Sequence, residues 1–166
     1  METPLNRAFN VAVNHIASRL FPCGFEVSAN APADFDSLVA EYRRTGRVHV
    51  WNGASDKTIF ACPETNFAFR AWHDWRHITE SADFSRNGES IACAAQCRDV
   101  RAIFDGAAAE TFCAILHAEI LGQADYAERR GGFPIDQCGF VRAYLIDAES
   151  ALRGDFGVSP IDGAAA

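Results

Sequence analysis

The chain has no run of eighteen apolar residues, so nothing in it reads as a helix able to span a bilayer. Its opening stretch, METPLNRAFN, lacks the charged-then-apolar pattern of a secretory signal. Six cysteines include no Cys-x-x-Cys pair, and a chain of 166 residues is large enough to need no disulfide staples. A reduced, cytoplasmic setting is therefore expected. A basic surplus is also missing: 15 Lys and Arg stand against 22 Asp and Glu, for a net charge of −7. That balance excludes a protein that coats nucleic acid, which needs a basic face to meet phosphates. No internal repeat and no linker divides the chain.

What is present describes one globular domain, with 49% hydrophobic and 22% charged residues and enough length to bury a substantial core. A first helix is predicted from Pro4 to Leu20, where Leu5, Phe9, Ala12, Val13, Ile16 and Leu20 recur at helical spacing. His15 lies off that stripe and reads as a surface residue. A second helix is predicted from Asp34 to a stop at Gly46. Arg47 to Trp51 alternates as a strand does, Asn52-Gly53 signals a turn, and Thr58-Ile59-Phe60 is the expected hairpin partner. Further helices are expected over about 63–80, 89–104, 107–130 and 135–152, the last with Phe140, Val141, Tyr144, Leu145 and Ala148 inward. The expected fold is mostly α: a single-domain helical bundle of five to six helices with one short β-hairpin, over residues 1–153. Residues 154–166 are expected to form a loose tail.

Chemistry concentrates in two of these helices. In Trp72-His73-Asp74-Trp75-Arg76-His77 the two imidazoles stand four residues apart and share a helix face, a usable spacing for two metal ligands. Phe67, Ala68, Ala71, Trp72, Trp75 and Ile78 form the opposite, buried face. The histidines then lie either on a solvated polar stripe with Asn66, Arg70, Arg76 and Glu80, or in a polar cleft. Phe69 on their side points to something that covers it.

In the segment Thr111 to Arg129, Phe112, Ile115, Leu116, Ile120, Tyr126 and Ala127 fall on one arc, with Glu119 and Gln123 in its middle. A carboxylate buried there needs a cation, a metal or several donors. Either it is a structural pair with an arginine or backbone amides, or it is a ligand or general base aimed into a site. His117 flanks the arc. Cys93 and Cys97, also four apart, read as metal ligands or as small core residues. A nucleophilic Cys113 paired with His117 is allowed by spacing, but nothing in the sequence lowers that thiol's pKa.

The words Phe69-Arg70-Ala71-Trp72-His73-Asp74-Trp75-Arg76-His77, Ala118-Glu119-Ile120-Leu121-Gly122-Gln123 and Phe133-Pro134-Ile135-Asp136-Gln137 resemble an uncharacterised family of bacterial and phage proteins, over about residues 48–144. That family carries no established activity. More broadly, the adjacent His73-Asp74 resembles the His-Asp metal-dependent phosphohydrolase superfamily of all-helical domains. This resemblance implies His49 as an earlier ligand, Asp125 or Asp136 as a later one, and His77 and His117 as ligands of a two-metal version.

The function expected from these readings is a metal-dependent hydrolase, acting on a phosphate ester or another small anionic substrate. His73, His77 and His117 are the expected ligands of a divalent ion. Asp74 is expected as a further ligand or as the partner fixing an imidazole tautomer, and Glu119 as a ligand or general base. Arg70, Arg76 and Gln123 would bind substrate, and Arg98 could add charge. No nucleic acid and no membrane partner is expected, and a homo-oligomer is compatible with the sequence. The alternative is a non-catalytic helical binding or assembly protein, with exposed members of the Trp51, Trp72 and Trp75 set as interface anchors.

Overall fold

The structure is a computed structural model that describes residues 4–55 and 57–160. The first helix, α1 (Arg7–Leu20), is capped by the Asn6 side chain, which accepts from the Phe9 amide at 2.9 Å, and it ends two residues before Pro22. It buries Phe9, Ala12, Val13 and Ile16, the stripe its spacing predicts. A short strand β1 (Glu26–Ser28) leads to α2 (Phe35–Thr45), capped by Asp34 and closed by Gly46 at φ 70°. Strand β2 (His49–Trp51) falls where alternation places it.

The partner of β2 differs from expectation. It pairs in parallel with β1, Val50 opposite Val27, while Thr58, Ile59 and Phe60 lie buried in bends. Arg70 explains the difference: its guanidinium donates to the carbonyls of Trp51 and Gly53 at 2.8 and 2.7 Å, and to Ala54 at 3.3 Å. Those groups are thereby turned away from a two-residue hairpin, and the positive φ falls on Ala54 at 48°.

Helix α3 (Pro63–Glu80) starts at the expected N1 proline and is the central element. Its Trp75 side packs on Phe21, Phe25, Tyr42, Val48 and Val50, and its other side meets α4 (Arg86–Ile103) and α1. Helix α5 (Gly106–Leu116) runs into a π-helical turn (His117–Gly122) and then α6 (Gln123–Arg130). Phe112, Ile115, Leu116, Ile120, Tyr126 and Ala127 are all buried, as their arc predicts.

The last predicted helix is two. Asp147 leaves helical geometry at φ −153°, ends α7 (Gln137–Ile146) and accepts from the Ser150 amide at 3.0 Å to start α8 (Ala148–Arg153). Phe140 and Val141 are buried as expected, but Leu145 is exposed. The tail is not loose as far as Pro160. Strand β3 (Gly132–Phe133) pairs antiparallel with β4 (Ser159–Pro160). Tyr126 holds the intervening loop, its hydroxyl donating to Gly157 O at 3.1 Å and accepting from the Phe156 amide at 3.2 Å. Residues 161–166 lie outside the described residues. The chain is mostly α, and no helix among the described residues is long and apolar enough to cross a membrane.

Candidate metal centre

His73 and His77 are not on a solvated stripe: they are 5% and 0% exposed, because α4 lies across their face of α3. The end of α3 fixes one of them. Ser81 takes a left-handed turn at φ 53°, and the Ala82 amide bonds back to His77 O at 3.0 Å. That closure aims the Ala82 carbonyl at His77 Nδ1, 2.9 Å away. A carbonyl can only accept, so the proton of neutral His77 sits on Nδ1 and its lone pair on Nε2. His73 Nδ1 likewise faces Gln96 Oε1 at 3.0 Å, which leaves Nε2 as its free nitrogen.

The two Nε2 atoms face each other at 3.0 Å, with Glu89 oxygens 3.1 Å from His73 Nε2 and 3.5 Å from His77 Nε2. Two lone pairs and a carboxylate thus converge on one buried point. Such an arrangement repels itself unless a cation stands in it, either a proton or a metal ion. His73, His77 and Glu89 offer ligand atoms within 4.8 Å of one another. The electrostatics say the same. Burial alone would lower the His73 pKa, but the Glu89 charge and hydrogen bond carry it to about 9. Burial would raise that of Glu89, but the two histidines hold it far below the usual carboxylate range. Glu89 also lies in the first turn of α4, where the helix dipole favours an anion.

Beside this point opens a cleft of about 490 Å³, lined by Asn66, Phe69, Arg70, His73, Glu89 and, from the opposite wall, Glu119 and Gln123. Glu119 is 8% exposed, its Oε2 has no hydrogen-bond partner, and burial pushes its pKa up to about 8 against Gln123, Arg70 and His73. The π-helical turn is wound one residue wider than an α-helix, and Glu119, Ile120, Gly122 and Gln123 are all buried along it.

The structure relocates several expected residues. His117 is exposed and stands with Cys93 and Cys97, on the α5-facing side of α4, not with the histidine pair. Asp74 is half-buried, with burial carrying its pKa to about 6 against His73 and His77. It belongs to neither convergent ligand group among the described residues, and the imidazole tautomers are set by Gln96 and Ala82 instead.

Arg70 lines the cleft, but three of its five N–H donors go to the 51–54 carbonyls. Arg76 points elsewhere, into a bidentate pair with Asp99 that also accepts from Trp72 Nε1 at 2.7 Å. Arg98 pairs with Glu80 at 2.8 Å. The positions suggested by the phosphohydrolase resemblance are engaged apart from the histidines: His49 faces Glu41, Asp125 pairs with Arg86, and Asp136 caps α7. Trp72 is fully buried, Trp75 packs on Phe21 and Tyr42, and Trp51 lies under Arg70, so none is a free anchor.

Glu89 and Gln96 escaped the sequence reading. The signal that exposed Glu119 was available for both, because they share a helical arc with Ala92, Cys93 and Val100, all buried. No protein-family profile, curated protein or solved structure matches the chain.

Proposed function

We propose that the chain is a metal-dependent hydrolase whose divalent ion is held by His73 Nε2, His77 Nε2 and Glu89. The observation that carries this reading is the 3.0 Å approach of two imidazole nitrogens beside a carboxylate, each nitrogen freed by an acceptor on the other side of its ring. Two imidazoles and one carboxylate would leave coordination positions for water or substrate, as a catalytic ion requires, and His73 and Glu89 both line the cleft. A bound divalent ion would supply Lewis acidity that brings a water's pKa toward neutrality.

The chain's own residues do the rest. Gln96 and the Ala82 carbonyl keep both rings in the ligating tautomer and orientation. Glu119, buried across the cleft with an unpartnered oxygen, takes and returns protons as general base and acid. Phe69, Phe84 and Phe133 wall the cleft against water, and Gln123 offers an amide to the substrate. Arg86 lines the cleft and is exposed; it would meet a small phosphate ester by exchanging its ion pair with Asp125, 2.5 Å away, for the ester's oxygens.

The test combines metal analysis with turnover of chromogenic phosphate mono- and diesters. Purified protein is expected to take up one equivalent of zinc, manganese or iron per His73 site and to hydrolyse one ester class. Glu89→Gln is expected to lose metal affinity by roughly 100-fold, while Glu119→Gln keeps the metal and loses kcat by about 100-fold or more. A protein in which Glu89→Gln leaves metal uptake unchanged would overturn the assignment of the ligands. Full uptake without hydrolysis of either ester would overturn the phosphate-ester reading.

A further inference from the structure

We propose a second metal site, built from Cys93 and Cys97 of α4 and His117 at the end of α5, that takes a soft cation of the zinc class. It is independent of the histidine pair. Helix α4 carries both sets of residues: Glu89 and Gln96 reach toward α3, while Cys93 and Cys97 meet α5. Cys93 and Cys97 stand one turn apart on α4, and His117 meets them from the start of the π-helical turn that continues α5. The Sγ atoms of Cys93 and Cys97 and a ring nitrogen of His117 all lie within 4.8 Å of one another.

Burial divides the labour. Cys93 and Cys97 are 0% and 2% exposed, whereas His117 is exposed and gives an ion its way in from solvent. Cys113 lies behind them, its thiol donating to the Cys97 carbonyl at 3.8 Å, so it supports the site without entering the ligand set. The same contact argues against Cys113 as a nucleophile, since burial and Cys97 push its thiol up to about 12.

Two thiolates and an imidazole select a borderline-soft ion such as zinc over magnesium or calcium. On binding, the two thiols give their protons to solvent, two metal–sulfur bonds and one metal–nitrogen bond form, and two thiolates balance the dication. Three protein ligands would leave a fourth position for water.

Cobalt(II) distinguishes this site from the first, because only thiolate ligands give sulfur-to-cobalt charge-transfer absorption in the near ultraviolet. The reduced full-length protein is expected to develop that band on cobalt titration and to lose it when zinc is added. Glu89→Gln should keep the band, and so should Cys113→Ala. Cys97→Ala should abolish it. His117→Ala, a change at an exposed position that leaves the core untouched, should weaken cobalt binding roughly tenfold or more. Zinc should also slow alkylation of Cys93 and Cys97 in the wild type but not in His117→Ala. Absence of the band in the wild type, or a His117→Ala titration identical to wild type, would overturn the proposal.

Discussion

His77 has its Nδ1 proton committed to a carbonyl that cannot be anything but an acceptor, and this single fact orders the chemistry around it. The lone pair that remains must face Glu89 and His73, so the pocket is built for positive charge. Glu119 is the opposite case, a carboxyl that the fold surrounds with little to ionise against. Its pKa is raised from 4.5 to about 8, chiefly by burial, so the folded state holds a proton that the unfolded chain releases. The stabilisation is present below pH 4.5 and is lost as pH rises through 8. Metal-free Glu119→Gln, which never ionises, is therefore expected to be more stable than wild type above pH 8 by a few kcal/mol, with the gap closing toward pH 5. Urea unfolding across that range measures it; parallel stability curves for the two proteins would refute the buried, unpaired carboxylate.

At the scale of the element, the site depends on how α4 begins. Ser85 caps the helix, accepting from the Gly88 amide at 3.2 Å, and Glu89 is the next residue. Gly88 sits hard against the preceding turn, where a Cβ would fall 1.7 Å from the Asp83 carbonyl oxygen. Alanine gains up to about 1 kcal/mol over glycine inside a helix, but a backbone clash of that size forces the turn open and outweighs it. Gly88→Ala is expected to destabilise by about 1–3 kcal/mol and, by swinging Glu89 off the histidines, to weaken metal binding in the same variant. Thermal unfolding with and without metal reads both effects. A variant as stable as wild type and equally responsive to metal would show that the turn does not position Glu89. The π-helical turn makes a milder demand, since a Cβ on Gly122 would come 2.9 Å from the Tyr144 ring.

At the scale of the molecule, α3 is held on both faces, and that sandwich converts a polar helix face into a buried centre. The wall opposite α3 is itself braced from the C-terminal side. Phe156 packs on Tyr126 and Phe140 and ties residues 154–160 to the α6–α7 corner. Removing that ring while it is only partly buried should cost about 2 kcal/mol. Phe156→Ala is expected to lower the urea midpoint without changing the slope, and an unchanged midpoint would mean that the segment contributes nothing to stability.

The sequence alone determined most of the helices and the buried stripes of α1 and of the α5–α6 arc. Helical spacing in α1, α3 and the α5–α6 stretch, Pro63 at an N1 position and Gly46 past a helix end are local signals, governed by backbone geometry within a few residues. It also marked His73, His77, Glu119 and Gln123, since polar groups at core spacing are visible as anomalies. Tertiary structure alone decided which of these meet. His117 and Glu119 are two residues apart, yet one faces Cys93 and Cys97 and the other the histidine cleft. Arg70 proved to be a clamp on the β2 turn, and β2 found its partner upstream. The divergence of His117 and Glu119 turns on how α4 packs between α3 and α5, and the fates of Arg70 and β2 on how α3 and β1 meet β2; both are contacts between distant segments that spacing along one helix cannot encode. The α4 packing also brings Glu89 to the histidine pair, so the group of residues able to hold a metal ion exists because of it.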